Sequence, residues 1–164
     1  MIKLIIFDRD DTLNVDVGFT HDLDDLDLIK GAKDVCEYIR KENLLYGVAT
    51  NQSGIGEKYY TVDKMHEFNK ALFNELNLVY SKDIIAHCPH PRHMTPRCKC
   101  RKPSPFLLLK LFSHFNVTPA ESIFIGDRET DKESAERAGC YFISIDPSVG
   151  HFDTIERIKS IQEL

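Results

Sequence analysis

Short apolar runs alternate with longer amphipathic segments along the chain, a pattern that predicts parallel strands joined by helices. Ile2 to Phe7, Leu44 to Thr50, Ile123 to Ile125 and Tyr141 to Ile145 read as buried strands, with Ile84 to His87 a weaker fifth. Val62, Met65, Phe68, Leu72 and Leu76 recur every three or four residues, which predicts one face of a helix. Gly31 to Glu42, Phe106 to Phe115, Thr130 to Ala138 and Asp153 to Ile161 predict further helices. Pro105 suits a first helical turn and Gly139 a C-terminal cap. The expected fold is α/β, a three-layer Rossmann-like parallel sheet with helices on both faces.

Composition narrows the class. At about 150 residues per domain, 164 residues predict a single domain over 1–164. With 42% hydrophobic and 29% charged residues the chain is an ordinary globular protein. No apolar run approaches the ~20 residues of a membrane helix. The apolar start, Met1 to Phe7, is too short for a signal peptide and runs directly into Asp8, so a cytoplasmic protein with no membrane partner is expected. A formal charge of −5 argues against a nucleic-acid partner, and a monomer is the default expectation. Three of the five cysteines fall between Cys88 and Cys100, which points to a metal and not to disulfides.

Polar clusters follow three of the strands: Asp8-Arg9-Asp10-Asp11-Thr12, Thr50-Asn51-Gln52-Ser53-Gly54 and Gly126-Asp127-Arg128. In open parallel sheets ligands bind beyond the carboxyl ends of the strands, so the clusters should meet at one edge. Taken alone, Asp-x-Asp is more often an acidic surface turn, and the Thr-Asn-Gln-Ser-Gly run a polar loop. Together they read differently. Asp8 and Asp10 at close range push their proton affinities apart, which suits a nucleophile beside a general acid. Asp127 adds a third carboxylate, and three oxygen donors describe a magnesium site. The cation has a clear purpose, because a carboxylate and one phosphate charge 4 Å apart repel by about 4 kcal/mol at an effective dielectric of 20. Thr50 and Asn51 offer donors to a phosphoryl group, and Lys102, beside Arg101, a point charge.

Cys88-Pro89-His90 and Cys98-Lys99-Cys100 form two close ligand pairs separated by seven residues. Tetrahedral zinc takes such Cys₃His sets, and four protein ligands leave no open position, so a structural ion is expected in a small loop over 88–100. His93 could replace His90, and His87 could compete. The loop runs straight into Arg101 and Lys102, so the ion would fix the cationic residues in place. Cys36 and Cys140 read as small core residues. His21, His66, His114 and His151 show no partner pattern.

Phe7-Asp8-Arg9-Asp10-Asp11-Thr12-Leu13, Thr50-Asn51-Gln52-Ser53-Gly54, Arg101-Lys102-Pro103 and Gly126-Asp127-Arg128-Glu129-Thr130-Asp131 resemble, in order, the four motifs of haloacid-dehalogenase-type phosphatases. The likeness runs over nearly the whole chain. The Cys/His loop resembles the small branch without a large cap domain, which includes heptose 1,7-bisphosphate and histidinol-phosphate phosphatases. Leu13 to His21 and Asn51 to Ile55 look like the heptose enzymes; the short ligand spacing and Gly126-Asp127-Arg128 with Thr130-Asp131 look more like the histidinol enzymes. The longer match favours removal of the 7-phosphate of D-glycero-D-manno-heptose 1,7-bisphosphate, with histidinol phosphate the alternative. The resemblance implies that Asp8 is the nucleophile and Asp10 the general acid and base. It implies magnesium on Asp8, the Asp10 carbonyl and Asp127. Thr50, Asn51 and Lys102 would bind the phosphoryl, Arg101 and Arg128 the rest of the substrate, and Asp131 would support the metal or Lys102. Asp11 stands where that family has glycine, and Gly56-Glu57-Lys58 departs from its usual small-Arg-Gly run.

Two other classes remain on the sequence. A phospho-accepting receiver also combines a doubly wound sheet with carboxylates, Thr and Lys, but keeps its acceptor on a later strand. A zinc-dependent nucleic-acid binder is opposed by the acidic balance.

Overall fold

A computed structural model describes all 164 residues. The central strand β1 (Leu4–Phe7) is buried on both faces, and its unbroken apolar run follows from that position. It pairs in parallel with β2 (Leu45–Asn51) and β4 (Ser122–Gly126). Outside these lie β3 (Ile85–Cys88) and β5 (Tyr141–Ser144), giving one five-stranded parallel sheet of order β3-β2-β1-β4-β5. The weak fifth strand is therefore real.

Side chains alternate across a strand, so β1 feeds two cores. Ile5 and Phe7 join the larger cluster, filled by Val35, Cys36 and Ile39 of α1 (Ala32–Lys41), Met65, Phe68, Leu72 and Phe73 of α3 (Val62–Glu75), and Ile158 of α6 (Thr154–Gln162). Leu4 and Ile6 face the smaller one, closed by Leu107, Leu108, Leu111 and Phe112 of α4 (Phe106–Phe115) and by Ala135 and Ala138 of α5 (Glu129–Ala138). Each large apolar side chain so buried stabilises the fold by about 1.5–3 kcal/mol. The expected three layers are present.

Local signals set the helix ends. Thr61 caps α3, its side chain accepting from the Lys64 N–H at 3.2 Å. Gly139 ends α5 in a left-handed conformation, as expected of a C-terminal cap. Pro105 sits one position before the first turn of α4. Cys140 lies just before β5 and not within it, and burial pushes both its thiol and that of Cys36 up to about 12. Such thiols are unreactive. The short helix α2 (Ser53–Gly56) was not anticipated; it turns the chain directly after β2. No helix is long and apolar enough to cross a membrane.

Candidate active site at the carboxyl edge of the sheet

The strand order reverses at β1, flanked by β2 and β4, and the register brings the polar clusters together there. Phe7 pairs with Val48 on one side and Ile125 on the other, so Asp8, Thr50 and Asp127 all emerge at one edge. The Asp8 N–H still donates to the Ile125 carbonyl at 2.8 Å, which holds this residue in line with the sheet. The resulting cleft has fifteen lining residues, of which Phe19 and Tyr60 alone are apolar or aromatic, so it suits a polar ligand.

Lys102 occupies the centre. It is buried, and its ammonium donates to Asp8 Oδ1 at 2.8 Å, to the Ala49 carbonyl at 2.9 Å, and pairs with Asp131 Oδ1 at 2.6 Å. Burial alone would lower the lysine pKa, but the Asp8 and Asp131 charges outweigh it and hold the group protonated. Burial dominates at Asp8 and lifts its carboxyl to about 7, with Lys102 pulling the other way. Asp127 is raised too, first by burial and then by Asp131. Carboxylate oxygens of Asp8, Asp127 and Asp131 lie within 4.8 Å of one another. Negative groups crowded in this way fit a divalent cation, which would relieve their repulsion. Asp8 Oδ2 takes no protein donor, and neither does the main-chain carbonyl of Asp10, so both remain free as oxygen ligands.

Asp131 comes closer to the acids than sequence spacing alone required. Gly126 permits it: a Cβ there would stand 2.5 Å from Asp131 Oδ2. That oxygen also accepts the Arg128 N–H at 3.1 Å, which seats the first turn of α5.

Asp10 also lines the cleft but takes a separate set of partners. Its carboxylate accepts from Arg9 Nε at 2.9 Å, Arg9 Nη2 at 3.1 Å, Asn14 Nδ2 at 3.0 Å and Gln52 Nε2 at 3.1 Å. Gln52 is held in turn by Thr50 Oγ1, to which it donates at 2.9 Å, and by the Tyr60 hydroxyl. Arg9 is fully buried, with its guanidinium over the Phe68 ring and bonded to the Thr20 carbonyl and Asn69. Neither Arg9 nor Gln52 stands out in the sequence. Both lie within the polar clusters that follow β1 and β2, with nothing local to assign them this role.

Asn51 brackets the main chain of Lys102, accepting from its N–H at 3.0 Å and donating to its carbonyl at 3.4 Å. Its amide thus orients the lysine. Arg101 and Arg128 both reach the cleft. Arg101 keeps a buried Nη1 without a partner, whereas Arg128 makes loose pairs with Asp16 at 3.6 Å and Asp127 at 3.7 Å. Asp11 takes the left-handed conformation that favours glycine, with φ 59°. Its Oδ1 accepts the Asp16 N–H at 2.9 Å, so the extra carboxylate turns toward the following loop.

The thiols of Cys88, Cys98 and Cys100 and the His90 ring converge as predicted. Cys88 Sγ lies 3.5 Å from Cys98 Sγ and 3.5 Å from His90 Nδ1; His90 Nδ1 is 3.2 Å from Cys100 Sγ; Cys100 and Cys98 are 4.0 Å apart. Tetrahedral bonds of about 2.3 Å to sulfur and 2.0 Å to nitrogen impose separations of about 3.5–3.8 Å, so the four atoms fit one metal ion. His90 and not His87 joins the three thiols, because alternation along β3 turns His87 to the other face, where it packs on His66 with ring centroids 6.0 Å apart. The loop presses on α2 closely enough that a Cβ on Gly56 would meet the Pro89 carbonyl at 2.6 Å.

A buried aspartate thus follows the central strand of the parallel sheet, clamped by a lysine and surrounded by further acids. A HAD-hydrolase-like family profile matches residues 99–158. The D-glycero-alpha-D-manno-heptose-1,7-bisphosphate 7-phosphatase of Campylobacter jejuni is 32% identical over 99% of this chain and 93% of its own length. The beta-anomer enzyme of Haemophilus ducreyi is 32% identical over 84% of this chain and 79% of its own. A crystal structure of the heptose bisphosphate phosphatase of B. bronchiseptica, complexed with magnesium and phosphate, superposes with a TM-score of 0.76 at 26% identity, covering 86% of this chain and 79% of that one. The chain belongs to the haloacid-dehalogenase-like heptose bisphosphate phosphatase family. It is a phosphoric monoester hydrolase.

Proposed function

We propose that this phosphatase removes the 7-phosphate of D-glycero-D-manno-heptose 1,7-bisphosphate, working as a single domain over residues 1–164. The observation that carries the reading is Asp8, buried at the cleft floor with one oxygen on Lys102 and the other free. Magnesium, held by Asp8, the Asp10 carbonyl and Asp127, would supply the positive charge that lets an anionic nucleophile meet an anionic phosphoryl group. A carboxylate oxygen of Asp8 attacks phosphorus, forming an aspartyl-phosphate as the ester P–O bond breaks. Asp10 gives its proton to the leaving sugar oxygen. It then takes a proton from the water that attacks the acyl phosphate, which releases inorganic phosphate and restores both acids. Arg9, Asn14 and Gln52 keep Asp10 at one angle through both transfers. Lys102 neutralises the phosphoryl oxygens, with Thr50 and Asn51 fixing its surroundings and Asp131 fixing the ammonium.

The Cys88, His90, Cys98 and Cys100 set holds zinc in this reading, as a closed structural site that anchors Arg101 and Lys102. Arg101 and Arg128 contact the remainder of the sugar phosphate. The test is a parallel measurement of kcat/KM for heptose 1,7-bisphosphate and histidinol phosphate with magnesium. The bisphosphate should lead by at least tenfold. A lead for histidinol phosphate overturns the substrate assignment.

A further inference from the structure

Arg92 lies within the Cys/His loop, outside every motif that carries the proposed chemistry, yet it lines the cleft. Its guanidinium carbon lies over the Phe19 ring, 4.9 Å from the centroid, and Nε donates to the buried Ser53 hydroxyl at 3.3 Å. Phe19 in turn stacks on Tyr59, with centroids 4.5 Å apart and planes 22° from parallel. Three loops thus meet in one stack. The Arg92 main-chain N–H is tied as well, donating to Glu57 Oε1 at 3.3 Å. An exposed arginine is normally a mobile surface cation, but this one has its head group, its Nε and its backbone N–H all engaged.

Its charge is nonetheless unanswered. No carboxylate lies within ion-pair distance of the guanidinium, although the cleft contains several. Asp8, Asp10 and Asp131 are engaged by Lys102 and Arg9 at the floor, and Asp16 faces Arg128. Arg101, on the same loop's far end, also keeps a buried nitrogen without a partner. The polarity of the cleft is therefore ordered: acids paired with cations at the floor, and arginine donors without partners on the side of the Cys/His loop. Planar guanidinium forks held in place suit bidentate recognition of a phosphate or carboxylate.

We infer that Arg92 is a specificity-determining residue that binds a second anionic group of the substrate, remote from the phosphoryl group at Asp8. The inference rests on the reading of Asp8 as the reacting end and deepens it, because it assigns the opposite end of the ligand. It commits the enzyme to substrates carrying two anions. Phe19 is the positioning platform: its aromatic face keeps the guanidinium in plane, and attraction between cation and ring adds to that hold. A charge-assisted pair in such a place changes affinity by about tenfold or more.

The experiment compares sugar bisphosphates with the matching monophosphates that lack only the distal group, beginning with heptose 1,7-bisphosphate and heptose 7-phosphate. Wild type, Arg92→Gln, Arg92→Lys and Phe19→Leu are measured with magnesium at two salt concentrations. Arg92→Gln should lower kcat/KM at least tenfold for the bisphosphate, chiefly through KM, and less than twofold for the monophosphate. Arg92→Lys should recover part of the loss and its salt dependence, and Phe19→Leu should give a smaller loss of the same selective kind. An equal loss on both substrates would show a purely structural arginine and overturn the inference, as would no loss on either. The two readings fail separately. Another sugar pair leading the panel overturns the heptose assignment, whereas a bisphosphate preference that Arg92→Gln leaves unchanged in the leading pair overturns the role of Arg92.

Discussion

Replacing Arg9 with methionine isolates a buried interaction that carries both stability and the aim of Asp10. The guanidinium is fully enclosed and donates to Asp10, to the Thr20 carbonyl at 2.5 Å and to Asn69 Oδ1 at 3.2 Å. Methionine fills much of the volume against Phe68 but answers none of these groups. Removing one partner of a buried ion pair costs about 3–5 kcal/mol, because the other charge is left uncompensated. Asn14 and Gln52 still serve Asp10, which points to the lower half of that range. The Thr20 carbonyl, stranded without a donor, adds about 1 kcal/mol. The expected loss is therefore about 4 kcal/mol, or roughly 8–16 °C in Tm at 2–4 °C per kcal/mol for a chain of this size. Urea and thermal unfolding of Arg9→Met, Asp10→Asn and the double variant form a cycle. The double variant should be more stable than Arg9→Met alone by about 1–2 kcal/mol, since no carboxylate is left unpaired. A single variant within 1 kcal/mol of wild type, or a cycle with no coupling, would refute the reasoning.

Three further predictions are independent of that pair. Asp8→Asn should abolish turnover while leaving the fold intact, since the amide oxygen can still accept from Lys102; normal steady-state activity would exclude Asp8 as nucleophile, and so would inversion at phosphorus with a chiral isotopic ester. Stripping the zinc proposed at Cys88, His90, Cys98 and Cys100 should raise KM several-fold and expose 88–100 to proteolysis, because Arg101 and Lys102 follow Cys100 directly; unchanged kinetics and an unchanged digest would remove the proposed purpose of that ion. His151 titrates below its ordinary 6.5 because it is buried, although its bond to the Thr12 carbonyl opposes the shift. The unfolded chain then binds the extra proton first as pH falls, so this residue's contribution is complete above about 6.5 and is lost on acidification below it. Unfolding free energies between pH 7 and 5 should fall less steeply for His151→Asn than for wild type, and parallel slopes would contradict this.

His151 also shows where reading the chain stops. Its ring reaches Thr12, 139 positions away, at 2.7 Å and so steadies the loop behind Asp8. Nothing near it in sequence signals the contact. Arg9 is similar: between two aspartates it looks like a solvated charge, and only Phe68, Asn69 and Thr20, arriving from α3 and a separate loop, make it interior. The Arg92–Phe19–Tyr59 stack joins three segments whose individual residues are unremarkable in composition.

What the sequence determined by itself was everything with a local period or a local spacing. The strands announced themselves as apolar runs because a strand buried on both faces has no polar position to show, and the acids after Phe7 and Ile125 followed from the rule that parallel strands end together at a ligand edge. The Cys/His ligands were legible for the same reason, since each pair lies within three residues of chain. Which histidine completes that set, how Asp131 approaches Asp8, and which groups orient Asp10 were decided only by tertiary structure. Those outcomes depend on strand alternation, on the space that Gly126 leaves open, and on buried polar partners brought from distant segments. A hydrogen bond across the fold leaves no period in the chain, because its two ends are chosen by packing and not by neighbours.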